Sequence, residues 1–141
     1  MFKLYLIFTF GVIALSCESS KEISDNYVEG RIVGFDPCNG GADATAEGRG
    51  FVIALNSSSD TLVTYNLPIN LFVFPKELFS GYLGNFLFPD SARNSYRIRF
   101  SYRYSTESEK VHPTCLDIIY LADYNKYVRG RQIVVENVSK N

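Results

Sequence analysis

The chain has 141 residues, with 14 Lys+Arg against 15 Asp+Glu and a single histidine. That length suits one domain and is short for two ordinary ones. The near-neutral balance excludes a global attraction to nucleic acid, so a charged partner has to be met by a local patch.

The N-terminus sets one cation, Lys3, ahead of an apolar run from Leu4 to Leu15, and then come Ser16 and Cys17. A helix of that run reaches about 18 Å against a hydrocarbon core of roughly 30 Å, too short for a comfortable span. Charged start, apolar middle and small-residue exit describe a signal peptide instead. The stretch Ala14-Leu15-Ser16-Cys17 resembles the lipobox of bacterial lipoproteins, in which a small residue precedes the cysteine. Ala14 departs from the leucine usual at its position, and the resemblance covers only the extreme N-terminus. It implies diacylglycerol on the Cys17 sulfur, cleavage before Cys17 and acylation of the new amino terminus, palmitate being one such chain. Two or more chains anchor firmly where one anchors marginally, so the membrane is the first partner implied.

The polar run Glu18-Ser19-Ser20-Lys21-Glu22-Ile23-Ser24-Asp25-Asn26 reads as a flexible tether. An ordinary secreted protein, whose signal merely ends near a cysteine, has no use for one. The expected organisation is thus a signal peptide over 1–16, lipidated cysteine and tether over 17–26, and a single β-rich domain over 27–141. Glu18 rather than aspartate follows the cysteine, so the enterobacterial inner-membrane retention signal is absent and the outer membrane is the expected address. The Ser-Lys-Glu stretch resembles the charged tethers of Bacteroidota envelope lipoproteins. Without Lys3 the mature chain carries 13 basic against 15 acidic side chains.

Two cysteines remain, Cys38 and Cys115, in a compartment where disulfides persist. Their pairing closes a long loop and stabilises by roughly 4.5 kcal/mol in the chain-entropy account. The competing reading is a metal site of Cys38, Cys115, His112 and Asp36, but structural zinc wants four ligands in paired spacings and this chain has one imidazole. The expectation is therefore a disulfide, with no metal and no cofactor.

In the body, Val28–Phe35 reads as a first strand, with Gly30 and Gly34 as bulge or bend positions. Residues 36–50 are loop by composition. Phe51–Leu55 is a short apolar run that suits a buried strand, Asn56–Asp60 a turn, and Thr61–Leu67 the return of a hairpin. Pro68, Pro75 and Pro89 then punctuate a stretch rich in phenylalanine, in which Pro75–Phe79 suits one short helix with proline in its first turn. These phenylalanines read either as core filler under a long connection or as a ligand-binding shelf. Tyr96–Tyr104 alternates with period two, placing Tyr, Ile, Phe, Tyr and Tyr on one side and Arg97, Arg99, Ser101 and Arg103 on the other. Residues 115–127 fit strand or helix, and Arg131–Val138 is a terminal strand rich in β-branched residues. The sum is an all-β, mainly antiparallel fold with one short helix between the third and fourth strands. That order resembles a small oligonucleotide/oligosaccharide-binding (OB) barrel; a curved open sheet or small sandwich fits as well.

No catalytic constellation is visible. His112 is the only imidazole, no Gly-x-Ser-x-Gly elbow or P-loop occurs, and Asp36, Asp43, Asp60, Asp90, Asp117 and Asp123 sit mainly beside turn signals. A non-catalytic binding or interaction module is the expectation, with a structural subunit of an envelope complex as the alternative and a hydrolase the weakest. If there is a recognition surface, Arg97, Arg99 and Arg103 lie in it, with Arg129 and Arg131 near the last strand. Guanidinium forks suit an acidic glycan, a lipid headgroup or an acidic envelope protein. Equally, such charges keep a strand face soluble, and Glu107, Glu109, Asp117 or Glu136 are available to neutralise them.

Overall fold

A computed structural model describes residues 26–36, 49–79, 86–112 and 131–141. Cys17, Cys38, Cys115 and the ambiguous 115–127 stretch lie outside the described residues, as do the signal and most of the tether.

Among the described residues five strands form the fold: β1 (Val28–Phe35), β2 (Phe51–Leu55), β3 (Thr61–Thr64), β4 (Arg97–Tyr104) and β5 (Gln132–Lys140). They close into a barrel in the order β1-β2-β3-β5-β4, with β4 returning to β1. Four pairings are antiparallel and one, β3 with β5, is parallel. This is an all-β fold consistent with a small OB-like barrel. Among the described residues between β3 and β4, the helical element is a 3-10 turn, Lys76–Phe79, entered from Pro75, whose carbonyl accepts from Leu78 N–H at 3.1 Å. The stretch after β3 covers the core with aromatic rings.

Alternation decides what each strand buries. Ile32, Phe35, Phe51, Ile53, Leu62, Ile98, Phe100, Ile133 and Val135 point inward to one core. Phe88, fully buried, joins them, and Phe72, Phe74, Phe79 and Tyr96 pack around it with centroid spacings of 4.7–6.4 Å. Edge-on and tilted rings at these distances are the favoured arrangement for aromatic quadrupoles. The phenylalanine-rich connection is therefore core filler, not an exposed shelf.

On the outer side, Val33, Val52 and Val63 make a second small cluster with Phe86 and Leu87. Val33 is outward by alternation from Ile32, and a bulge then turns Phe35 back to the core: Ile32 pairs with Ile53 but Gly34 already pairs with Val52. Gly34 is needed at that point because a Cβ there would stand 2.2 Å from the Phe86 carbonyl oxygen, where residues 86–88 cross β1.

Two side-chain amides extend the backbone ladders. Asn66 donates from Nδ2 to Val135 O at 2.8 Å and accepts from Val135 N–H at 3.0 Å, clamping the end of β3 to β5. Gln132, 5% exposed, trades the same pair of bonds with the Val111 backbone at 2.7 and 2.9 Å. Each amide satisfies one backbone donor and one acceptor that the short ladder leaves over.

Candidate functional site

Buried charge is the first place to look for chemistry. Asp36 is fully buried at the end of β1, and its carboxylate accepts from Tyr65 O–H at 2.5 Å. Its N–H donates to Gly50 O at 2.7 Å, closing the neck of the β1–β2 connection. Arg49, 4% exposed, lies with its guanidinium 4.8 Å from the Phe35 ring centroid and 4.7 Å from that of Phe79. Burial lowers its pKa from the ordinary value, and the Asp36 charge acts in the opposite direction. A Cβ on Gly50 would meet the Tyr65 ring at 2.5 Å, so glycine lets that ring lie where its hydroxyl reaches Asp36. The arrangement ties β1, β2 and the residue after β3 together. It gives a buried carboxylate engaged by a phenol, with an arginine charge close enough to act on it.

The sequence reading placed Asp36 beside a turn, and the structure places it in the interior. A short acid ahead of a proline carries turn statistics, and its partners, 13 to 29 residues away, give no local signal. Asp60 and Asp90 do sit at turns, paired with Arg131 and Arg93. The Arg131 partner holds the Asp60 carboxyl below its usual range. His112 is exposed, and among the described residues no group of three or more His, Cys, Asp or Glu comes together.

The β4 arginines all lie on the barrel's outer face, but their surroundings differ. Arg103 is held in a fork: its Nη1 and Nη2 donate to Glu109 at 2.7 and 2.6 Å, with Glu136 3.8 Å from Nε. Glu109 also accepts from the Thr106 N–H and hydroxyl, each at 2.9 Å. Those donors hold the Glu109 carboxyl down to about 2, the Arg103 hydrogen bonds being the largest cause. Arg99 lies over the Tyr27 ring, 4.8 Å from its centroid, and stands directly across the ladder from Glu29. Arg97 stands across from Arg31. Arg31 donates to Asn94 Oδ1 at 2.6 Å, and Arg97 has no ion pair among the described residues.

The structure thus separates Arg103 from the other two and adds Arg31, which the sequence reading did not single out. Its signal was present, since Glu29 and Arg31 are the polar members of the alternating first half of β1. What the sequence lacked was the β1–β4 pairing that sets Arg31 beside Arg97. Compared with known protein families, curated proteins and solved structures, the chain matches none.

Proposed function

We propose that the chain is a lipid-anchored envelope protein, held by Cys17, whose barrel works as a non-catalytic binding module through the outer face of β1 and β4. The observation that carries this reading is the rigid presentation of Arg31, Arg97 and Arg99 on two adjacent, paired strands whose inner residues are core. Strands place such groups more tightly than loops do, and charges fixed before binding lose little entropy when a ligand arrives. An acidic glycan, a lipid headgroup and an acidic envelope protein remain the ligand classes, with nucleic acid set aside by the proposed export. Cys38 and Cys115 are assigned to each other as a disulfide in the exported form; thiol titration of the denatured, unreduced protein should then find neither free.

The test is recovery of partners from detergent-solubilised membranes with the wild-type chain and with an Arg31, Arg97 and Arg99 to serine variant whose fold is checked by circular dichroism. A salt-sensitive partner held by the first and lost by the second supports the reading. An identical partner set contradicts it. A second reading, a structural subunit of an envelope complex, draws on Val73 and Ile69, 94% and 53% exposed in the connection after β3. Exposed apolar side chains serve protein contacts. In that case the partner resists salt and is lost on Val73→Ser.

A further inference from the structure

We propose that Arg31 and Arg97 together form a binding site for a phosphate-type oxyanion on the outer β1–β4 face of the barrel. The proposal rests on the binding-module reading and names the ligand chemistry of that face.

Ile32 N–H donates to Tyr96 O at 2.9 Å, so Ile32 and Tyr96 form a hydrogen-bonded antiparallel pair. Pair types alternate along an antiparallel ladder, which makes the next pair, Arg31 with Arg97, a non-hydrogen-bonded one. In that type the Cα atoms approach to about 4.5 Å and the side chains are nearest. Two guanidinium groups therefore leave the sheet side by side on the same face.

Like charges placed directly opposite destabilise a sheet, and here little offsets the repulsion. Arg31 is half-buried, its Nε is shielded from solvent without an acceptor, and its one side-chain bond goes to the neutral Asn94. Partial burial lowers the local dielectric and so strengthens the repulsion. Around the pair, Glu29 faces Arg99 across the ladder, and Asn141 meets Arg97 through its backbone N–H at 3.1 Å. Lys140 pairs with Ile98 and so lies on the other face from Arg97, its Nζ 5.2 Å from the Phe72 ring centroid. At the far end of the same strand, Glu109 fills the fork of Arg103.

The ligand that suits this geometry follows from the number of forks. One guanidinium fork already satisfies both oxygens of a carboxylate. Two adjacent forks need an acceptor with three or more oxygens spread tetrahedrally, which a phosphate or phosphate ester provides. A soluble phosphate ester and a phospholipid headgroup share that chemistry.

The experiment uses the full-length protein in uncharged detergent at low ionic strength, with melting temperature as the readout. With no phosphate present, Arg97→Gln should melt about 1–4 °C above wild type, because the substitution removes a repulsion and keeps the hydrocarbon stem. Arg31→Gln should do the same from the other strand, while Arg99→Gln, which removes the charge facing Glu29, should not. Inorganic phosphate should then raise the wild-type melting temperature more than that of Arg97→Gln; the difference counts, since phosphate stabilises most proteins by exclusion from their surfaces. A parallel arm replaces phosphate with phosphatidylglycerol in the micelle. A differential shift in the phosphate arm assigns a soluble ester, and one in the lipid arm alone assigns a headgroup. Equal shifts in wild type and variant in both arms, or glutamine variants that melt no higher than wild type, overturn the proposal. The membrane partner recovery is independent of this result, so a site without phosphate affinity leaves the binding-module reading to stand or fall separately.

Discussion

The two ends of β4 carry the same side chain in opposite circumstances. At the Tyr104 end, Arg103 is locked between Glu109 and Glu136, and Thr106 holds Glu109 in place with two further bonds. At the other end, Arg97 stands against Arg31, and among the described residues neither makes an ion pair with a carboxylate. Both ends are backed by the same core through Ile98 and Phe100. A charge on a strand face is neutral evidence about function until its cross-strand neighbour is known. Paired with an acid it fastens the turn after the strand; paired with its own kind it costs stability that a solvated face has no need to spend.

The largest expected effect is on what the two ends share. Phe100 is fully buried, and Phe100→Ala should cost about 3–5 kcal/mol, read from the midpoint of urea unfolding. A loss below 1 kcal/mol would mean that the barrel interior does not hold β4, and both ends would need another account. Next, in Arg103→Gln the Glu109 carboxyl should titrate clearly above the wild-type value of about 2, while the two remaining Thr106 donors keep it below the ordinary carboxylate value, measured by NMR. Because the folded value lies below the ordinary one, this pairing stabilises fully above the usual carboxylate range. Its contribution falls away as the pH drops from there through about 2. Among the described residues Arg97 makes no ion pair with a carboxylate, so Arg97→Gln should leave the acid limb of stability against pH unchanged. The smallest effect is ionic strength. With a screening length of about 30 Å at 0.01 M and 3 Å at 1 M, salt should shrink the melting-temperature gap between wild type and Arg97→Gln toward zero.

Much of the fold was legible because local pattern and burial agree. Val28–Phe35 and Phe51–Leu55 were read with the bounds the structure shows, and the period-two alternation of β4 gave its faces correctly. Gly34 was readable as a bulge position, since glycine in an otherwise apolar strand marks a close backbone approach. The third strand was read too long: after Thr64, Asn66 takes over from the ladder with its side chain, a switch that β-propensity cannot register. Among the described residues the expected short helix is a 3-10 turn over Lys76–Phe79. What local pattern could not supply is who neighbours whom. The parallel β3–β5 pairing and the β1–β4 closure join residues about 70 apart in the chain. Arg31 becomes interesting only through that closure, and Asp36 is buried only because Tyr65 and Arg49 converge on it.

The most direct measurement is a pair of double-mutant cycles run side by side, Arg31→Gln with Arg97→Gln and Arg103→Gln with Glu109→Gln, scored by equilibrium unfolding at low salt. The account predicts couplings of opposite sign: unfavourable between Arg31 and Arg97, favourable between Arg103 and Glu109. Couplings of the same sign, or none between the two arginines, would contradict it and return the β1–β4 face to ordinary solvated surface.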